Sequence, residues 1–143
     1  MSLIVADVMT SPVFSLTPET SLHHAHCVTR DKGIRHLPVV DPQTNQLVGI
    51  VTQKTLIGKV FSLLATYGGN DLEQHEAETN IMEVALKDFD TINADANLAS
   101  VATFFLSNKH GCLPVVDNDQ KLIGILTSSD FVKLAIKLLE TDR

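Results

Sequence analysis

The chain contains no apolar run approaching the roughly 20 residues that a bilayer-spanning helix needs. No charged segment followed by an apolar one opens it either, so a membrane span and an export signal are both unexpected. Basic residues are scarce: 11 Lys and Arg stand against 17 Asp and Glu, for a net charge of -6. That balance argues against nucleic acid held on a broad basic face, where neutralising phosphate supplies most of the affinity; a small basic pocket is still allowed. Cysteine is limited to Cys27 and Cys112, far apart and without CxxC spacing. A metal knuckle or redox pair is thereby disfavoured, and small buried apolar roles in a reducing cytoplasm fit better. Also missing are a GxSxG elbow, a Walker A loop and an HExxH helix. Cys112 and His110 are close in sequence, which does not make them a catalytic pair. No enzymatic activity is expected.

What is present is a duplication. HLPVVD at 36–41 returns as CLPVVD at 112–117, and GIVTQKT at 49–55 returns as GILTSSD at 124–130. Upstream the offset is 76, so that Thr17 falls on Asn93 and Leu22 on Leu98. A repeat this long exceeds solenoid periods and marks a unit the size of half a domain. With 143 residues, 44% of them hydrophobic, the two copies can build a core without staples. Met1, Ser2 and Leu3 precede the first recognisable element and are given no weight.

Each copy reads as strand, helix, strand, strand, helix. PVFSL is a short strand candidate, after which Thr17 is placed as N-cap with Pro18 in the first helical position; Asn93 is its counterpart. Leu22, Ala25 and Val28 form one apolar helix face, and Leu98, Val101, Ala102, Phe105 and Leu106 the other. LPVV and LVGIV, like LPVV and LIGIL, read as buried hairpins across polar turns. After Thr52 and Thr127 the period becomes helical, with Leu56, Val60 and Leu63 in one copy and Phe131, Leu134, Ala135 and Leu138 in the other. The boundaries are 4–66 for the first repeat, 67–79 for a polar linker and 80–143 for the second. The fold class is mixed α/β (α+β). Because one unit cannot cover both faces of its sheet, the copies are expected to pack sheet to sheet with pseudo-two-fold symmetry, leaving two clefts.

Chemistry concentrates where the last strand of the second copy passes into its last helix. Unpaired N–H groups at the helix start, with the hydroxyls of Thr127, Ser128 and Ser129, suit a phosphate. Asp130, one turn in, has the acceptors for a ribose diol. An equally local reading makes Thr127 or Ser128 a helix cap and Asp130 a partner of the helix dipole. His23, His24 and His26 invite a metal assignment, but residues 23 and 24 point about 100° apart on a helix, and an exposed helix surface is the simpler account. No metal site is assigned. Asp71, Glu73, Glu76 and Glu78 read most simply as a solvated linker, and their use as an acidic cluster for magnesium is only what the family resemblance given below implies.

Taken together, the paired LPVVD strands, the turns and the GhhT steps into polar helix starts resemble a tandem pair of CBS domains, a Bateman module, over nearly the whole chain. The resemblance implies a regulatory module that binds AMP, ADP, ATP or S-adenosylmethionine between the copies. It implies a homodimer, with Ile57, Val60, Phe61 and Leu64 as interface candidates, and an output passed to a regulated protein partner. Carried over residue by residue, it assigns Thr127, Ser128, Ser129 and Asp130 to one side of a cleft, and Met9, Thr10, Val13, Ile34, Arg35 and His36 to the opposite wall. Arg35 would be the cation for a phosphate tail. The first copy departs from the pattern, with Thr55 in the acidic position, so the cleft of Thr52, Thr55, Phe89, His110, Gly111 and Cys112 is expected to be weaker. The competing expectation is a structural dimerisation module with vestigial clefts.

Overall fold

The computed structural model describes residues 2–107 and 111–141. Within these, the chain forms two compact units that do not coincide with the sequence repeats: Phe14–Phe89 make one, and the first 13 residues join Asp90 onward in the other.

The first of these units is built on the hairpin of β1 (His36–Val40) and β2 (Leu47–Thr52), paired antiparallel with Leu37 opposite Val51 and Pro38 opposite Ile50. Val39 and Val51 are fully buried, as the β-branched run predicts. The turn is set by Asp41, whose Oδ1 accepts the N–H of Gln43 at 2.8 Å, with Asn45 at a positive φ of 60°. α2 (Leu22–Lys32) lays Leu22, Ala25 and Val28 on the hairpin, and α3 (Gln53–Tyr67) adds Leu56 and Leu63. The PVFSL strand is reduced to one parallel bridge, Leu16 to Val39, held by the Leu16 N–H on the Pro38 carbonyl at 2.8 Å.

The other unit repeats this plan. β4 (Cys112–Val116) and β5 (Leu122–Thr127) form the hairpin, with β3 (Ile92–Asn93) added in parallel beside β4. Asp117 sets the turn, its Oδ1 accepting the N–H of Asp119 at 2.8 Å and of Lys121 at 3.0 Å. The final Asp of each LPVVD therefore has a structural reason. α5 (Leu98–Ser107) and α6 (Ser128–Thr141) supply Leu98, Val101, Phe131 and Leu134 to the core.

The units differ from the repeats because two equivalent segments are exchanged. Residues 3–13, including the short α1 (Val5–Val8), belong by sequence to the first copy but bond to the second. The Leu98 N–H donates to the Leu3 carbonyl at 2.9 Å, and Thr10 and Ile125 exchange N–H to O bonds of 2.8 and 3.0 Å. Residues 79–89 do the same for the first copy: Leu22 N–H to the Thr79 carbonyl at 2.8 Å, and Ile50 with Leu86 at 3.0 and 2.8 Å. Leu3 thus has a structural role.

Two further expectations are corrected. The helix caps are Ser21, whose Oγ accepts the His24 N–H at 3.1 Å, and Asn97, whose Oδ1 accepts the Ser100 N–H at 3.1 Å. Thr17 instead closes a turn, its carbonyl accepting the Thr20 N–H at 3.1 Å, and Asn93 lies in β3. The segment 67–79 is not merely a polar connector: α4 (Leu72–Glu78) packs on α2 and α3, with Leu72 against the core and Glu76 only 6% exposed. Glu76 is met there by His26, Nδ1 to Oε1 3.0 Å. Beside it His23 Nε2 lies 3.6 Å from Glu73, and His75 stacks on Tyr67 at 3.7 Å between ring centroids.

Candidate functional site

The start of α6 is shaped by the step from β5. Thr127 ends the strand, the polypeptide turns, and Asp130 comes back beneath it: the Thr127 N–H donates to Asp130 Oδ2 at 2.8 Å, with the Thr127 hydroxyl 3.4 Å from the same oxygen. The other carboxylate oxygen, Oδ1, accepts from the Thr10 hydroxyl at 2.8 Å. Asp130 is 4% exposed, while Thr10, Ser128 and Ser129 are open to solvent and Thr127 is half-buried. Asp130 therefore acts as a helix cap in this geometry, with a charge-assisted bond to a residue 120 positions away.

Glycine at 124 makes the arrangement possible. A Cβ there would lie 2.5 Å from Met9 Sδ and 3.2 Å from the Thr10 carbonyl oxygen, so the exchanged segment passes over β5 where a side chain would stand. Gly49 has the same role beneath Ala85 and Leu86.

At the equivalent corner of the first copy, Thr52 and Thr55 form a reciprocal capping box: Thr52 Oγ1 accepts the Thr55 N–H at 3.2 Å, and the Thr52 N–H donates to Thr55 Oγ1 at 3.3 Å. Thr55 also donates to the Thr52 carbonyl at 2.9 Å. Leu86 takes the place that Thr10 has in the other unit.

The remaining candidates divide between the units. Met9, Thr10 and Val13 belong to the same unit as Thr127, Ser128, Ser129 and Asp130. Ile34, Arg35 and His36 belong to the other unit, together with Thr52, Thr55 and Phe89. Ile34 packs on the core, Arg35 is exposed and its carbonyl accepts the Gln53 N–H at 2.8 Å, and His36 opens β1 opposite Thr52. Gly111 has a positive φ of 65° with its carbonyl accepting the Ser128 N–H at 3.4 Å. Cys112 is buried, and desolvation pushes its thiol from 9.0 up to about 12, so it is no nucleophile. His110 lies outside the described residues.

Among the described residues no buried side-chain nitrogen or oxygen lacks a partner, and no group of three or more His, Cys, Asp or Glu is placed to hold a metal ion. No helix among them is long and apolar enough to cross a membrane. Composition alone did not reveal the Thr10–Asp130 pair or the His26–Glu76 pair, since each joins residues distant in sequence.

Comparison with known proteins gives the two repeats a common identity: the CBS domain matches residues 5–62 and again 81–137. The chain belongs to the CBS-domain family. A CBS domain-containing protein of Dictyostelium discoideum is 31% identical, over 98% of this chain and 96% of its own length. Other relatives are longer: in a homoserine O-acetyltransferase of Methanohalobium evestigatum, 29% identical, the match covers 91% of this chain but only 24% of the relative. Among solved structures, a Vibrio cholerae protein assigned provisionally to acetoin utilization (AcuB) superposes with a TM-score of 0.83 at 34% identity, covering 99% of this chain and 98% of that one. CBSX2 of Arabidopsis thaliana in complex with AMP has a TM-score of 0.75 at 30% identity, over 94% and 97%. The CBS domain pair of protein MJ0100, in complex with 5-methylthioadenosine and S-adenosyl-L-methionine, has a TM-score of 0.74 at 25% identity, over 94% and 96%. The mixed α/β fold of a CBS pair is thereby established for this chain.

Proposed function

We propose that this CBS pair is a ligand-sensing regulatory module of the cytoplasm. It binds one adenosine-containing molecule, AMP, ADP, ATP or S-adenosylmethionine, at the edge formed by Thr10 and the start of α6, and passes its occupancy to a protein partner by shifting the populations of two packings. The observation that supports this most is the pairing of structural neighbours that hold AMP and S-adenosyl-L-methionine with a solvent-facing helix start carrying Ser128 and Ser129. The capping box of Thr52 and Thr55 has no carboxylate, which favours one good site per chain.

Calorimetric titration of the purified chain with AMP, ADP, ATP and S-adenosylmethionine tests the reading. One of them should bind once per chain. Ser129→Glu places a negative charge at an exposed position, so it should weaken nucleotides more than the cationic S-adenosylmethionine while leaving the fold intact. If no adenosine ligand binds the folded chain at millimolar concentration, the sensor reading falls.

A second reading, structural dimerisation, is favoured by a different observation. Phe61 on α3 is 65% exposed and Leu139 on α6 is 70% exposed, each beside further open apolar residues: Ile57, Leu64 and Tyr67 on α3, and Val132, Ile136 and Leu138 on α6. We propose a homodimer through these faces. Sedimentation equilibrium should give a dimer that Phe61→Glu and Leu139→Glu disrupt; a wild-type monomer would dismiss it.

A further inference from the structure

We infer that the second unit carries an open docking groove for an apolar-faced helix of a protein partner, at the place where the first unit seats its own α4. The inference stands apart from the adenosine-binding reading above. The groove runs between α5 and α6, has a volume of about 390 Å³, and includes Leu3, Leu98, Ala99, Ala102, Phe131 and Leu134 in its walls.

The two copies define the equivalence. Thr79 stands to Leu22 as Leu3 stands to Leu98, each carbonyl accepting that leucine's N–H, at 2.8 and 2.9 Å. In the first copy the seven residues before Thr79 are α4, which packs on α2 and α3 with Leu72 against the core. Among the described residues nothing fills the matching space over α5 and α6. Leu56 on α3 is accordingly 1% exposed, whereas Phe131, its counterpart on α6, is half-buried.

The walls select the occupant. Around α4 they are polar and are met by acids: His26 lies 3.0 Å from Glu76 and His23 lies 3.6 Å from Glu73. In the second copy the matching positions are Ala102 and Ala99, and Leu134 stands where the first copy has Lys59. A carboxylate laid over Ala102 as Glu76 is laid over His26 would lose water and find no cation, so a helix as acidic as α4 is refused. A helix with a leucine placed like Leu72, and small apolar residues where α4 has Glu73 and Glu76, buries apolar surface at no such cost. Helical backbone also satisfies its own N–H and C=O groups, which an extended segment on these apolar walls could not do.

The probe is α4 itself, inserted a second time before Leu3 as residues 67–78 of the full chain, in its native form and with Glu73→Ala and Glu76→Ala in the insert. Tethering is needed because so short a helix is scarcely formed when free. Hydrogen exchange should show the apolar insert protected about tenfold or more over the same insert carrying Leu72→Ala, and more than the native insert. Ala102→Glu in the wall should abolish that protection. Ala99→Glu, at an exposed position of the same wall, should weaken it and covers the case in which Ala102→Glu fails to fold. An apolar insert that exchanges as freely as its Leu72→Ala form overturns the inference, and so does a native insert protected equally well. Sedimentation equilibrium of the chain without inserts separates the remaining occupant: a wild-type dimer that Ala99→Glu turns into a monomer would assign the groove to a second copy and overturn the assignment to a partner. None of these outcomes depends on whether an adenosine ligand binds.

Discussion

Glu76 offers a quantitative test of how α4 is held. It lies in the most acidic stretch of the chain, yet it is buried, and its carboxylate is met by His26 from α2 at 3.0 Å. Removing one member of a buried pair leaves the other uncompensated, which costs about 3–5 kcal/mol where both partners are enclosed. Here the His26 side chain is 40% exposed, so water can reach one side and the cost of His26→Ala should fall to about 1–3 kcal/mol. In a chain of this length that corresponds to a melting point lower by roughly 4 to 12 °C. Glu76→Gln should cost less, because a neutral amide can keep the bond without a stranded charge. The assay is a double-mutant cycle in urea with His26→Ala, Glu76→Ala and the pair, after checking that fluorescence and circular dichroism transitions coincide. The double variant should be more stable than the sum of the singles by about 1 kcal/mol or more. A coupling within ~0.3 kcal/mol of zero would refute the claim that this pair fastens α4.

Three other outcomes follow from the geometry. Gly124→Ala should destabilise by about 1–3 kcal/mol, since Met9 can swing away but the Thr10 carbonyl cannot, and Gly49→Ala by less, its nearest neighbour being the Ala85 Cβ at 3.2 Å; urea midpoints that rank the two the other way would contradict the account. Cys112, whose thiol is pushed up to about 12 by burial, holds its proton in the fold while the unfolded chain releases it near 9.0, so its contribution to stability is intact below pH 9 and is lost as pH rises towards 12. At pH 8 a thiol reagent should modify Cys27 promptly and Cys112 only on unfolding, and rapid modification of both would refute this burial. Ser21→Ala and Asn97→Ala should each cost about 1 kcal/mol as lost helix caps, whereas Thr17→Ala and Asn93→Ala should cost less, as measured by chemical unfolding.

The hairpins were legible because their code is local. A run of β-branched residues, an Asp at the turn and a second apolar run specify β1 with β2 and β4 with β5, and the same residues recur in the same order. The face of α2 was legible for the same reason, Leu22, Ala25 and Val28 being buried at the spacing that predicts it. Leu106 on α5 and Ala135 and Leu138 on α6, read as members of apolar faces, are instead exposed, because periodicity alone does not say which apolar residues find a neighbour to cover them. The exchange of residues 3–13 with 79–89 was not. Each segment binds through isolated bridges and a few backbone bonds, Thr10 to Ile125 and Leu86 to Ile50 among them, which leave no periodicity to read. The cap positions slipped by four residues because Thr17 and Ser21 are chemically equivalent candidates, and the choice is made by where the exchanged segment docks on Leu22. Glu76 was read as solvated for a similar reason: only the packing of α4 on α2 brings His26 to it.

At the candidate site both local readings of Asp130 contain part of the geometry. It caps α6 as a structural aspartate would, through the Thr127 N–H, but its second oxygen is not spent on the helix. Comparison of the two copies isolates that difference. Both corners use a threonine at the end of the second strand and a polar residue three positions on, and both place an exchanged segment across a glycine. Helix capping alone is satisfied by Thr52 with Thr55, without any carboxylate and with Leu86 alongside. A carboxylate buried at the equivalent place carries a desolvation cost that a threonine avoids, and it needs Thr10 to offset that cost. Stability of the corner therefore does not require Asp130 and Thr10, which is why this pair, more than the capping it shares with the other copy, is where a function that distinguishes the two halves should be sought.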